Sequence, residues 1–316
     1  MNNLTMKHLR YFEALSRHGH FGLAAEACSI SQPALSVQMK ELEALLGAPL
    51  IDRTARRIRL TGLGEVLAER AREILRQVDE LEDLARTAHG ALSGRLRLGV
   101  IPTVAPYLLP RLIGAFAREF PDLDPRPREA VTGRLIDDLL KGQLDAAIVA
   151  LPVSEPALHE YRLFDEEFVL VRPLADASLP VPAPESLREM RLLLLEEGHC
   201  FRDQALSFCQ LTPSVTRELM EGSSLSTLVQ MVGAGIGITL IPEMAVPIET
   251  RSAAVSVARL GPPPPSRTIG MVWRKASPLA DHLGRVAEVV RAAGEERAAL
   301  PGATGSQDGT GPAVAT

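Results

Sequence analysis

Apolar positions along the first fifty residues recur at helical spacing in three short runs. From Lys7 to Arg17, the residues Leu9, Tyr11, Phe12, Ala14 and Leu15 fall on one helical face, and His18-Gly19-His20 ends the run. A second helix is predicted over Phe21 to Ala27. After the turn Cys28-Ser29-Ile30 comes a third, with Ser31 as N-cap and Pro33 in the first turn, where its missing N–H costs nothing. Its residues Leu35, Val37, Met39, Leu42, Leu45 and Leu46 are expected to pack inward, leaving Gln32, Ser36, Gln38 and Lys40 outside. Two short helices joined by a tight turn, the second polar on its free face, read as helix-turn-helix. The stretch Pro49 to Leu60 then reads as a hairpin wing carrying Arg53, Arg56, Arg57 and Arg59, which suits a phosphate backbone.

Thr61 is placed to cap a long helix running to about His89. Within it Leu67, Ala71, Ile74, Val78, Leu81 and Ala85 keep heptad spacing between charged flanks, the pattern of a helix that pairs with a second copy. Gly90-Ala91-Leu92-Ser93-Gly94 breaks the pattern. Beyond it, strands are predicted at Leu96–Ile101, Leu144–Val149, Phe168–Arg172, Leu192–Leu195, Ile236–Ile241 and Thr268–Trp273. Helices are predicted at Tyr107–Phe120, Thr132–Lys141 and Pro278–Arg297, and such repeated βαβ units imply an α/β fold with parallel sheets. The glycine-rich Met231–Gly237 has a helix before it and a strand after, the reverse of a dinucleotide fingerprint, so it reads as a turn. The chain thus divides into a head at 1–65, a linker helix at 66–92, a body at 93–300 and a disordered tail at 301–316.

At 316 residues and 46% hydrophobic, the chain is too long for one ordinary domain. No run approaches the ~18 apolar residues of a membrane span, and no secretory signal opens the chain, so a cytoplasmic protein without a membrane partner is expected. Net charge is −5, yet residues 1–60 carry eight Lys and Arg against five acids, a local +3 that leaves −8 for the rest. A basic head on an acidic body points to a separate nucleic-acid module. Neither a metal nor a cofactor is expected.

Two of the three cysteines, Cys200 and Cys209, stand in Glu197-Gly198-His199-Cys200-Phe201-Arg202-Asp203-Gln204, with Phe208-Cys209 following. Cys200 has His199, Arg202 and a helix start for neighbours, all of which favour thiolate over thiol. In one helix the pair would lie about 13 Å apart, whereas a disulfide tolerates at most roughly 7 Å. A bridge therefore requires refolding. Two readings fit these residues: a redox switch, and a pair of unrelated core cysteines. Cys28, among Ala24, Ala25 and Ile30, reads as packing.

The run from Phe21-Gly22-Leu23-Ala24-Ala25 through Ser31-Gln32-Pro33-Ala34-Leu35-Ser36, with Leu42-Glu43, Leu46-Gly47, Leu50, Arg53 and Leu60-Thr61, resembles the winged helix-turn-helix of LysR-type transcriptional regulators. That resemblance implies that Ser31, Gln32, Pro33, Ala34, Ser36, Gln38 and Lys40 lie at the major groove of double-stranded promoter DNA, with Arg53, Arg56 and Thr61 near its backbone. It also implies a linker helix that pairs two subunits, assembly to a dimer or tetramer, and RNA polymerase as a partner. The body resembles the family's two-lobed, periplasmic-binding-protein-like effector domain. One lobe would comprise 93–164 and 267–300, the other 165–266.

Ile101-Pro102-Thr103-Val104, Phe164-Asp165-Glu166, the cysteine segment and Arg267-Thr268-Ile269-Gly270 narrow the resemblance to the hydrogen-peroxide-sensing branch of that family. By resemblance, Cys200 is peroxidatic and Cys209 resolving, and Thr103 and Thr132 hydrogen-bond peroxide. His199 and Arg202 would hold the thiolate charge, and Asp203 would orient Arg202. Leu219, Glu221 and Ser223 depart from the family's histidine, arginine and threonine. A second possibility is a LysR-type regulator with inert cysteines and an organic effector between the lobes. The recognition helix and wing argue against a thiol peroxidase, so the chain is not expected to be an enzyme.

Overall fold

The computed structural model describes residues 4–52, 58–87, 93–187, 190–209 and 220–295. The head opens with three helices, α1 (Met6–His18), α2 (Phe21–Ala27) and α3 (Gln32–Leu46). Thr5 caps α1 by accepting from the His8 N–H, Ser31 caps α3 by accepting from Ala34, and left-handed glycines Gly19 and Gly47 end both helices. Phe12, Leu15, Ala24, Leu35, Met39, Leu42 and Leu50 form the head's core, with Cys28 packed at its edge. Burial pushes the Cys28 thiol up from its ordinary range, which suits packing.

Two residues of the expected inward stripe of α3 lie outside it: Val37 is 53% and Leu46 37% exposed. Leu35, Met39 and Leu42, four and three apart, already fill the buried face, and Val37, two residues from Leu35, points to the opposite side. Leu46 sits in the last turn, where that packing runs out. The hairpin is confirmed at its base, where β1 (Ile51–Asp52) pairs antiparallel with β2 (Arg59–Leu60), while residues 53–57 lie outside the described residues. Glu43 Oε1 accepts from the N–H groups of Leu50 and Ile51 at 2.9 and 3.2 Å, fastening the wing to α3.

The long helix α4 (Gly62–Thr87) begins where expected, with Thr61 Oγ1 accepting from Gly64 N–H at 3.0 Å. Its seam is used differently from the expectation. Ala71 is buried within the chain and Leu67 is half-buried, because small residues at Ala68 and Ala71 let α4 lie close to its own head. Ile74 and Leu81 stay exposed, at 41% and 64%. The side chain of Ala85 lies outside the described residues.

The body contains β3 (Gly94–Val100), α5 (Ala105–Glu119), β4 (Leu123–Glu129), α6 (Thr132–Leu140), β5 (Ala146–Leu151), β6 (Leu158–Pro173), α7 (Pro184–Leu187), β7 (Leu192–Leu195) and α8 (Cys200–Phe208). There follow β8 (Glu221–Gly222), α9 (Leu225–Gly233), β9 (Ile238–Pro242), α10 (Val246–Glu249), β10 (Val255–Arg259), β11 (Ser266–Arg274) and α11 (Ala280–Glu295). The sheet order is β4-β3-β5-β11-β6-β9-β7-β8, with β10 on β6.

The parallel-sheet expectation holds only in part. β3 is parallel to β4 and β5, and β7 to β8 and β9, but β11 runs antiparallel to β5 and β6, and β6 antiparallel to β9 and β10. β6 is 16 residues long and passes through both halves of the sheet: up to Glu167 it pairs with β11, and from Phe168 onward with β9. The chain leaves one half along β6 and returns along β11, so these two strands oppose each other. Proline-bearing β4 is legible as a strand only once it is seen on the sheet edge, paired among the described residues with β3 alone. Among the described residues no helix is long and apolar enough to cross a membrane.

Candidate redox site and nucleic-acid interface

The four buried leucines of β7 deliver the chain to a turn in which Gly198 takes φ +95°, a left-handed conformation natural to glycine. His199 follows as N-cap without a side-chain capping bond, and Cys200 is the first residue of α8. Cys209 caps the other end of the same helix. Both thiols are free, Cys200 half-buried and Cys209 wholly buried. Burial alone pushes the Cys209 thiol up to about 11. Nine helical steps span about 13 Å, beyond the roughly 7 Å a disulfide permits.

Cys200 lines a narrow pocket with Ile101, Thr103, Val131, Thr132, His199 and Phe201. Thr103 Oγ1 accepts from Arg267 Nη1 at 2.8 Å, and the Thr103 carbonyl accepts from Nη2 at 3.1 Å. With its oxygen engaged as acceptor, the Thr103 hydroxyl keeps its proton available for donation. Thr132 Oγ1 is buried with no hydrogen-bond partner among the described residues. Two hydroxyls thus border the thiol, one primed as donor and one unsatisfied.

Arg267 and Glu166 escaped the reading of the sequence as site residues. They face each other across β11 and β6, fully buried, in an ion pair of 2.8 Å. Glu166 Oε1 also accepts from Met244 N–H at 3.1 Å, and the guanidinium lies 5.5 Å from the Phe201 ring centre. The segment Arg267-Thr268-Ile269-Gly270 drew notice only as a family motif. That its arginine reaches Thr103 depends on two strands far apart in sequence.

Three expectations about the neighbours of Cys200 are corrected. Burial holds the His199 imidazole below its ordinary range, against the opposing pull of Glu196 and Glu129, so at neutral pH it is an uncharged group rather than a cation. Arg202 is committed elsewhere: its Nη1 donates to the Leu195 carbonyl at 2.8 Å and pairs with Glu221 at 2.7 Å. Asp203 is exposed and makes no ion pair with Arg202 among the described residues; the carboxylate that holds Arg202 is Glu221, one of the departures from the family pattern. Asp203 instead borders a cleft of about 510 Å³ together with Thr132, Ile136, Leu151, Cys200 and Gln204.

In the head, Gln32, Pro33, Ala34 and Lys40 are exposed, with Ser31 beside them at the start of α3. Ser36 and Gln38 are half-buried, and Gln38 Nε2 donates to Glu41 at 2.6 Å. Val37 joins this outward face, an apolar side chain able to meet a thymine methyl group. Thr61 is engaged within the fold, its hydroxyl donating to the Pro49 carbonyl at 2.9 Å while it caps α4. Arg53 and Arg56 lie outside the described residues.

Residues 6–65 match the bacterial regulatory helix-turn-helix proteins of the lysR family, and residues 89–295 match the LysR substrate binding domain. The chain belongs to the LysR family. A LysR-type protein of this kind is a DNA-binding transcriptional regulator and not an enzyme. Among LysR-type relatives, the DNA-binding transcriptional dual regulator OxyR of Escherichia coli is 41% identical over 293 residues, covering 92% of this chain and 95% of that protein. The hydrogen peroxide-inducible genes activator of Dickeya chrysanthemi is also 41% identical, over 292 residues, covering 91% of this chain and 95% of that protein. Full-length OxyR of Pseudomonas aeruginosa, in a cysteine-to-aspartate variant, superposes with TM-score 0.69 at 36% identity, covering 92% and 95%. A cysteine mutant of Corynebacterium glutamicum OxyR with hydrogen peroxide bound gives TM-score 0.65 at 36% identity, covering 93% and 94%.

Proposed function

We propose that this LysR-type protein is a peroxide-responsive regulator of oxidative-stress defence genes, switched by a reversible Cys200–Cys209 disulfide. The observation that carries the reading is the pairing of two free thiols at opposite ends of one short helix, with two hydroxyls beside the first. The Cys200 thiolate attacks one peroxide oxygen, the O–O bond breaks, and Cys200 becomes a sulfenic acid as hydroxide leaves. Thr103 and Thr132 donate hydrogen bonds to the oxygen that gains charge. Cys209 sulfur then attacks the Cys200 sulfur, water departs with the Cys209 proton, and the two cysteines have lost two electrons to peroxide.

Closing that bond dismantles α8, and the rearrangement passes to the packing between effector domains. The heads, reading double-stranded promoter DNA through Ser31, Gln32, Pro33, Ala34, Ser36, Gln38 and Lys40, then change their spacing. Arg53, Arg56 and Thr61 serve the phosphate backbone in this reading. The chain works in the cytoplasm as a dimer or tetramer that engages RNA polymerase, with a head at 1–65, a linker at 66–92 and an effector body at 93–300. Two measurements test it. Non-reducing mass spectrometry after stoichiometric peroxide should find a two-hydrogen loss bridging Cys200 and Cys209, and footprints on the chain's own upstream region should differ in length between the thiol and disulfide forms. Unmodified thiols, or identical footprints, would sink the proposal.

One observation favours a second reading, an organic effector in the cleft of about 510 Å³: Gln204 Oε1, on its wall, is buried without a partner among the described residues. Under that reading, DNA binding responds to a small organic molecule and is indifferent to peroxide.

A further inference from the structure

We propose that Glu221 is a positioning residue whose ion pair with Arg202 keeps the first turn of α8 folded in the thiol form, and so sets how readily Cys200 and Cys209 close. The inference rests on the peroxide-switch reading given above. Arg202 stands two residues beyond Cys200, and its backbone N–H bonds to the His199 carbonyl at 2.9 Å. The Arg202 side chain is only 6% exposed, and its guanidinium holds the Leu195 carbonyl at 2.8 Å and Glu221 Oε1 at 2.7 Å. One cation therefore joins the first turn of α8, the last residue of β7 and the first residue of β8.

The setting makes this joint consequential. β8 is a two-residue edge strand, paired in parallel with β7 through Leu194 opposite Glu221 and Leu195 opposite Gly222. Glu221 lies twelve residues beyond Cys209, so the Arg202–Glu221 pair ties the start of α8 to a strand on the far side of the second cysteine. A nine-residue helix whose first residue and C-cap lie about 13 Å apart cannot stay whole when the two are bridged, and in this proposal the turn that carries Cys200 unwinds. Arg202 then loses the backbone frame that aims it at Glu221. Because a buried cation stripped of its carboxylate is strongly disfavoured, the pair stabilises the thiol form against the disulfide form.

The test uses the full chain in glutathione buffers, where two protein thiols pass two electrons and two protons to glutathione disulfide and yield the protein disulfide and two glutathione thiols. Glu221→Gln keeps the size of the side chain and removes its charge. It should move the thiol–disulfide equilibrium about ten-fold toward the disulfide, a shift of about 30 mV, and Glu221→Asp should restore much of the wild-type constant. A purely structural role is separated by unfolding: Glu221→Gln should lower the midpoint of the thiol form and leave that of the disulfide form unchanged. An unaltered equilibrium constant, or equal loss of stability in both forms, overturns the clamp while the peroxide switch stands. If wild-type protein forms no Cys200–Cys209 bond after stoichiometric peroxide, both fall together.

Discussion

The two threonines beside Cys200 look alike in sequence and are opposites in structure. Thr103 is wired to a buried arginine, so Thr103→Val leaves Arg267 Nη1 short of an acceptor and should cost about 1–3 kcal/mol in chemical denaturation. Thr132 Oγ1 has no partner to lose among the described residues, so Thr132→Val should leave stability unchanged yet slow Cys200 oxidation by on the order of ten-fold in stopped-flow peroxide assays. Equal effects of the two changes on stability would contradict the difference drawn between them. Cys209 supplies a pH dependence. Its folded thiol titrates at about 11, above the ordinary cysteine value, so the folded protein binds more protons than the unfolded chain between those two values. Stability contributed by this group is complete below the ordinary cysteine value and is lost as pH rises toward about 11. Unfolding measured against pH in that alkaline window should therefore fall more steeply for the wild type than for Cys209→Ala. At residue scale the two cysteines stood out in the sequence itself and both threonines were singled out only through the family resemblance, whereas the partners of Arg202 were not legible. Glu221 meets Arg202 only because a parallel strand brings it beside β7.

Among the elements, α8 is short, and its entry depends on one backbone conformation. Gly198 has open space around a notional side chain, with Val131 as its near neighbour at 3.9 Å, but its φ of +95° disfavours any residue with a Cβ. Gly198→Ala should thus destabilise by about 1–2 kcal/mol and slow Cys200 oxidation by re-aiming the thiol, measurable by thermal unfolding and peroxide kinetics on one preparation. The helices of the head were legible almost to the residue, because caps such as Ser31 and the glycines at Gly19 and Gly47 act over one turn and need no tertiary context. Strands fared less evenly. β7, four buried leucines, was plain, while β4 with its two prolines and β10 with mixed polarity carry no alternation that marks them, since edge strands are paired on one side only.

For the molecule as a whole, the exposed part of α4 bears on assembly. Ile74 and Leu81 are exposed apolar residues on one seam, so Leu81→Glu should convert the proposed dimer to monomer in sedimentation while helical content by circular dichroism is kept. A dimer that persists would move the self-contact elsewhere. The division into a basic DNA-reading head and an acidic α/β body was legible because charge balance and hydrophobic period are properties of successive residues. Local order determined the helices, their caps and the pairing of two cysteines with a helix start. Tertiary structure alone decided that β6 runs through both halves with β11 antiparallel to its first part, that Arg267 reaches Thr103, and that Arg202 answers to Glu221 rather than Asp203. Those contacts join residues separated by long loops of chain, and nothing in local spacing constrains which buried charge finds which partner.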